Sequence, residues 1–235
     1  MNDDHYYIAG YSIEDDPYIE PNGVLKNLLG ITNTTDLNEV ESELSSLAIE
    51  DILKKNPPTE YSTQTLQNIH KEIFSEIYPW AGEFRKVDIA KGDTHFESHA
   101  NISSELDALF QKSKFKNFFL NLPLDDFSQE AASFLVKLNT IHPFREGNGR
   151  SQRLLLTQIT LNAGYNIEWS GVSDSAMKHA CIDGANGNTS TMKNLLKIYL
   201  APTSLKPLSK HETLEVIDEL RDKYLNSSEE SQNKP

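Results

Sequence analysis

Apolar positions along most of this chain recur at helical spacing. Leu37, Val40, Leu44, Leu47, Ala48 and Ile52 share one helical face, and Asn56-Pro57-Pro58 closes that segment. Leu66, Ile69, Ile73, Phe74 and Ile77 form a second stripe, stopped by Tyr78-Pro79. A third runs through Phe127, Ala131, Phe134, Leu135, Leu138 and Ile141, with Asp125 or Asp126 as its N-cap and Pro143 as its stop. Leu154, Leu155, Ile159 and Leu161 make a fourth, ended at Ala163-Gly164, where glycine suits a helix C-terminus. Shorter helices are predicted near residues 102–112, 174–183 and 190–200, the last ended by Pro202.

One stretch reads as extended. Glu83 to Ile89 reads as alternating apolar and polar at Phe84, Val87 and Ile89, and Lys91-Gly92-Asp93 can turn the chain back toward Thr94-His95-Phe96. The expected fold is therefore all-α with one small β-hairpin. A hairpin standing alone is marginally stable, so this one must lie on the helices or serve as a flap. Beyond Pro202 the pattern changes. Pro202 and Pro207 bracket a linker, and Ser209-Lys210-His211-Glu212 has the form of a capping box. Leu214, Ile217 and Leu220 give a short helix one apolar face, and the last residues are polar. This divides the chain into a domain over 1–201 and an appendage over 202–235.

Composition narrows the function. The 235 residues suffice for a sizeable single core. Lys+Arg 22 against Asp+Glu 35 give a net charge of −13, which disfavours nonspecific nucleic-acid binding. Cys181 is the only cysteine, so no intrachain disulfide can form and a reducing compartment is permitted. The N-terminus lacks the basic and apolar regions of a signal peptide. No apolar run reaches the roughly 18 residues a membrane helix needs. The protein is expected to be soluble and cytoplasmic, or exported by a route that needs no N-terminal signal.

Candidate chemistry concentrates in His142-Pro143-Phe144-Arg145-Glu146-Gly147-Asn148-Gly149-Arg150-Ser151-Gln152-Arg153, between the third and fourth helices. Gly147 and Gly149 let successive backbone N–H groups converge, and the next helix begins there with its free amides and positive dipole end. Arg150 and Arg153, three apart, share a face from which to hold phosphate oxygens. Glu146 is the lone acid in this cationic loop, as a carboxylate for Mg²⁺ would be. His142 is placed to take a proton from an attacking hydroxyl. Each part has a plainer reading: a turn, a helix cap, a solvated arginine face. A cap would also favour imidazolium, whereas a base must be neutral. Taken jointly, the parts point to a nucleotide-phosphate site.

The same segment resembles the signature of the Fic (filamentation induced by cAMP) family, written HxFx(D/E)GNGRxxR, and meets every specified position. Tyr78-Pro79-Trp80-Ala81-Gly82-Glu83-Phe84-Arg85 is similar to the family's approach to its flap. Val24-Leu25-Lys26-Asn27-Leu28-Leu29-Gly30-Ile31 resembles the N-terminal part of its small bacterial toxins, so the likeness spans roughly residues 7–200. The resemblance implies transfer of AMP from ATP to a Tyr, Thr or Ser hydroxyl of a target protein, by a toxin with an antitoxin or by a secreted effector. It assigns His142 as general base and Glu146 as the Mg²⁺ ligand. Gly147, Asn148 and Gly149 would form the anion hole, with Arg150 on the phosphates and Arg153 on the γ-phosphate. Phe144 would anchor the loop in the core. A flap around Lys86, Val87, Asp88, Ile89, Ala90, Lys91 and Gly92 would dock the target as an added strand. Gly149 and Arg150 are intact where kinase-like relatives carry a lysine, which favours AMP transfer. Because phosphocholine transferases share most of the motif, CDP-choline or another nucleotide stays open as donor. A non-catalytic nucleotide-binding module is the reading from another class.

Many relatives are inhibited by a glutamate in (S/T)xxxE(G/N), which pairs with the motif's last arginine. Ser46 to Glu50 has the spacing, but Asp51 follows it, and Glu50 reads as solvated surface. Inhibition is therefore expected in trans, from a small antitoxin carrying the glutamate. His95 and His99, four apart in an extended context, read as surface or docking residues rather than metal ligands. Cys181 reads as a buried small hydrophobe, and Trp80 and Trp169 as core anchors.

Overall fold

A computed structural model describes residues 16–203. The N-terminal segment before Asp16, and the linker, helix and tail expected beyond Thr203, lie outside the described residues. Seven α-helices occur within them: α1 (Thr34–Leu53), α2 (Thr63–Phe74), α3 (Ile102–Phe115), α4 (Leu124–Ile141), α5 (Asn148–Asn162), α6 (Asp174–Ala185) and α7 (Ser190–Tyr199). Strands β1 (Ala90–Lys91) and β2 (Thr94–His95) form an antiparallel hairpin with Ala90 opposite His95. A second antiparallel pair joins β3 (Tyr165–Ile167) to β4 (Leu200–Pro202), with Asn166 opposite Ala201.

Helix α4 occupies the centre. It packs against α3, α5, α6 and α7. All six members of its predicted stripe are buried, and Ala132 and Val136 are buried as well because little of the helix is left free. Each large apolar side chain so removed from water stabilises the fold by about 1.5–3 kcal/mol. Helix α2 packs against α1, α3 and α5 and buries Leu66, Ile69, Ile73 and Phe74. Its start is fixed by a capping box between Ser62 and Thr65. The loop from His142 to Gly147 therefore joins two core helices, α4 and α5, directly over α2.

The structure departs from the sequence expectations in several places. Helix α2 ends at Phe74, before Tyr78; the N–H groups of Ile77 and Tyr78 both donate to the Phe74 carbonyl, at 2.9 and 2.8 Å. Tyr78 precedes a proline, which disfavours helical geometry there. Helix α4 starts at Leu124 with Pro123 as N-cap, so Asp125 and Asp126 lie in its first turn, where carboxylates suit the dipole. Asp125 also receives Lys193 and Lys197 of α7, both at 2.8 Å. Residues 83–89 form no strand. Phe84, Val87 and Ile89 are spaced by three and then two, so they do not alternate, and Arg85 is buried between them.

On α1, Leu47 is 60% exposed while Glu41 and Ser45 are buried. The helix turns a polar face inward because a cation from α5 waits there. Pro202 lies in β4, and the Thr203 N–H donates to the Gly164 carbonyl at 2.9 Å. The chain is thus still paired where the linker was expected to begin. Trp80 is buried and stacked on Tyr78, whereas Trp169 is half-buried and donates Nε1–H to Thr157 Oγ1 at 2.8 Å. Cys181 is half-buried, and burial pushes its thiol up to about 11, leaving it unreactive.

Candidate active site

The loop between α4 and α5 is closed by its own side chains. Asn148 is fully buried; its Oδ1 accepts from the Phe144 N–H at 2.8 Å and its Nδ2 donates to the Phe144 carbonyl at 2.7 Å. That reciprocal clamp folds Phe144 inward, where it stacks on His70 at 3.8 Å between ring centroids. Phe144 is fully buried there. Arg145 reaches the other way and makes a buried two-point ion pair with Asp16, from Nε at 3.0 Å and Nη2 at 2.8 Å. Gly147 then takes φ +77, a left-handed conformation that glycine adopts without penalty.

His142 is the C-cap of α4, with φ 49 and ψ 63. Helical geometry is disfavoured before Pro143, and histidine tolerates the left-handed region better than most residues. Its Nδ1 lies 3.0 Å from the Asn139 carbonyl. A carbonyl only accepts, so Nδ1 carries the proton and, in the neutral ring, Nε2 carries the lone pair. The ring also stacks on Phe96, at 3.8 Å between centroids. Burial, then the nearby Arg85 and Lys91 charges, push its pKa down to about 3 against the opposing bond to Asn139. Desolvation thus outweighs the pull of the helix C-terminus toward imidazolium, and the ring is neutral at physiological pH.

The opposite end of the loop brings together the residues expected to bind an anion. Helix α5 has no side-chain cap, so the amides of its first turn remain to be satisfied from outside. The Glu146 carboxylate accepts from the Gly147 N–H at 2.8 Å. Burial, and the Glu41 carboxylate after it, push the Glu146 carboxyl above the usual range. Arg153 lies over Gly149: a Cβ there would sit 3.1 Å from its Nη1. The absent side chain is what lets the guanidinium approach the turn.

Arg150 faces α1. Its guanidinium donates to the Glu41 carboxylate and, at 3.0 Å, to Ser45 Oγ. It also lies 4.8 Å over the Phe74 ring and 3.9 Å from Glu146 Oε1. Tyr78 donates its hydroxyl to the same Glu41. Arg150 is therefore shared between a buried carboxylate of α1 and the edge of the anion site, and Asn148 can offer a ligand only its backbone N–H. The flap residues spread widely. Ala90 and Lys91 belong to the hairpin, with Gly92 at its turn. Ile89 is buried, while Lys86 is exposed and pairs with Glu83 at 3.1 Å. Asp88 accepts from the His99 N–H at 2.6 Å and faces His99 Nδ1 at 2.8 Å, so His99 serves this turn, and His95 is exposed on β2. Glu50 is exposed on α1.

Sequence reading missed His70, Arg85, Glu41 and the Arg145–Asp16 pair. The signal for His70 was available, since it falls on the apolar face set by Leu66, Ile69 and Ile73. His70 Nδ1 accepts from the Gly82 N–H at 2.8 Å, so Nε2 holds the proton and donates to the Glu146 carbonyl at 3.0 Å. Burial holds its pKa down to about 4 from 6.5. The unfolded chain takes up this proton below about pH 6.5 and the folded chain only near 4. Stability is thus present above 6.5 and lost as pH falls through 4, by about 3 kcal/mol for this group. Urea midpoints are expected to fall between pH 6.5 and 4.5, with a shallower slope in His70→Phe. Equal slopes would show that His70 does not contribute.

Comparison with known proteins places this geometry among relatives. The model of the Fic/DOC family matches residues 60–160. The protein adenylyltransferase VbhT of Bartonella schoenbuchensis is 34% identical over 188 residues, covering 80% of this chain and 39% of VbhT. The probable protein adenylyltransferase Fic of Salmonella typhimurium is 33% identical over 183 residues, covering 77% of this chain and 90% of that protein. The BepC effector protein of Bartonella tribocorum, solved with bound AMPPNP, matches with a TM-score of 0.74 at 26% identity, over 79% of this chain and 96% of that one. A Bartonella quintana Fic domain with bound ADP matches at 0.74 and 28% identity, over 79% and 94%.

Proposed function

The chain belongs to the Fic/DOC family, and from that premise we propose that it is a protein adenylyltransferase, moving AMP from ATP to a hydroxyl of a target protein. One observation carries the reading: a neutral His142, with Nδ1–H tied to Asn139, stands one loop from the uncapped first turn of α5. In the reaction His142 Nε2 takes the hydroxyl proton and the hydroxyl oxygen bonds to the α-phosphorus. The bond from that phosphorus to the α–β bridging oxygen breaks, and pyrophosphate leaves. The α5 amides and Arg153 hold the polyphosphate, and Arg150 adds its charge from the Glu41 side.

Glu146 would hold the Mg²⁺. A carboxylate pushed up by burial and by the neighbouring Glu41 fits a cation that takes its other ligands from phosphate and water. Among the described residues no three acidic, histidine or cysteine side chains form a metal cage. When bound, the ion would neutralise charge on the polyphosphate. The β1–β2 hairpin, beside His142 through Phe96, would present the target backbone. The exposure of Glu50 supports inhibition supplied by a separate small protein. Among the described residues no helix is long and apolar enough to cross a membrane.

The test is incubation of the purified chain with Mg²⁺ and ATP in bacterial and host-cell lysates. A protein band labelled from α-labelled but not from γ-labelled ATP is expected. Label from the γ-position, or labelling suppressed by CDP-choline, CTP or UTP in preference to ATP, would reject AMP transfer. Unlabelled lysates together with tight ATP binding would leave only a nucleotide-binding module.

A further inference from the structure

Arg85 is a buried cation satisfied mainly by main-chain oxygens. Its side chain has no exposed surface, and the nearest carboxylate, Asp88 Oδ1, stands 3.7 Å from Nη1. Four carbonyls converge on it instead. Nε donates to His142 at 2.9 Å, Nη1 to Val87 at 2.7 Å, and Nη2 to Ile141 at 3.2 Å and to Glu97. Its backbone N–H donates to the Pro143 carbonyl at 2.9 Å. An interior charge costs several kcal/mol unless its partners are arranged for it, so this convergence calls for a physical reason.

The four carbonyls come from two places. Ile141 is the last residue of α4 and His142 its C-cap, where carbonyls lack helical partners and the dipole favours a cation. Val87 and Glu97 flank the hairpin, one before β1 and one after β2. A single planar guanidinium thus caps the helix that ends in His142 and closes the base of the flap. Two further contacts run along the same seam: the Glu97 N–H donates to the Thr140 carbonyl at 3.0 Å, and Phe96 stacks on the His142 ring. The other end of the loop has separate supports in Asn148, His70 and the Arg145–Asp16 pair.

We propose that Arg85 is the positioning residue that keeps the flap and His142 in one register, so that a target strand docked on the flap presents its hydroxyl to Nε2. This rests on the transfer reading above. It also separates two functions: loss of Arg85 uncouples the target side from the base while the phosphate side stays built. Lysine keeps the charge but offers one compact donor centre, which cannot span four carbonyls from two segments.

The experiment compares wild type with Arg85→Lys and Arg85→Gln by three readouts. Labelling of the lysate band is expected to fall about a hundredfold at saturating Mg²⁺-ATP, the cost of a displacement near 1 Å in an aligned site. The concentration of lysate giving half-maximal rate is expected to rise, whereas the Kd for Mg²⁺-ATP stays within about twofold. Amide exchange over 87–97 is expected to rise at least tenfold, with the first turn of α5 unchanged. Unchanged labelling in the variants, or exchange unchanged over 87–97, would overturn the proposal. So would a parallel loss of nucleotide binding, which would make Arg85 a support of the fold alone. A wild type that labels nothing would sink the transfer reading instead, and the exchange arm would still decide whether Arg85 clamps the flap.

Discussion

Replacing His142 by alanine is expected to lower label transfer from ATP about a thousandfold, within the range a positioned general base supplies. By the rate equation that factor is about 4 kcal/mol of transition-state stabilisation. Mg²⁺-ATP affinity should change little, because the proposed phosphate side, from the uncapped turn of α5, Arg153 and Glu146, does not include the imidazole. The variant also removes the partner of Phe96, so His142→Gln belongs beside it as a polar control of similar size. A smaller loss, under tenfold in both, would show that proton removal is not the task of this residue. The pH profile gives an independent check. With the His142 pKa near 3, kcat/KM should show no acid limb from this group between pH 5 and 8. An acid limb near 6.5, lost in His142→Ala, would mean that the ring is solvated in the working enzyme. Bound polyphosphate would raise the pKa, since its negative charge favours imidazolium, so kcat should show a higher limb than kcat/KM.

What could be read from sequence follows from how far apart the cooperating residues lie in the chain. The loop from His142 to Arg153 is one contiguous segment, so its turn, its helix start and its charges were legible together. The helices were legible for the same reason, as the stripe of α4 needs only its own residues to declare a buried face. Glu41 meets Arg150 from 109 residues away, and Arg85 meets His142 across 57. Nothing local announces either pair. Glu41 sits one place from Val40 on an apparently apolar helix, and only the cation of α5 gives that carboxylate a reason to be buried. Arg85 was hidden in a run that resembled alternation. His70 could have been noticed, since a histidine on an otherwise apolar stripe must find buried partners. β3 and β4 were illegible because three-residue strands bind each other across 32 residues of helix and turn, with no period long enough to register. By the same logic, the proposed phosphate side draws on consecutive amides of one segment, while the proposed target side draws on α4, the hairpin and Arg85.

The other large effect is expected from one methyl group. A Cβ at Gly147 would lie 2.3 Å from Phe74 Cε2 and 2.4 Å from Cζ, well inside contact distance, and the residue's φ of +77 is itself unfavourable for alanine. Phe74 cannot step aside, since it is fully buried, lies beneath the Arg150 guanidinium and packs against His70. Gly147→Ala should therefore lift the start of α5 off α2 or unfold it. Overpacking of this kind costs about 1–3 kcal/mol and a strained left-handed residue about 1–3 more. Because the displaced residues are those whose amides are proposed to hold the phosphates, Mg²⁺-ATP affinity should fall at least tenfold even in the folded fraction. Chemical denaturation and calorimetry on the same sample would measure both. Phe74→Leu shortens the ring that the methyl meets, so the double variant should be less destabilised than the sum of the two single ones. Additive losses would show that the φ penalty, and not the contact with Phe74, is what reserves this position for glycine. Conversely, a Gly147→Ala protein with wild-type stability and ATP affinity would mean that α2 does not set the height of the phosphate-binding turn.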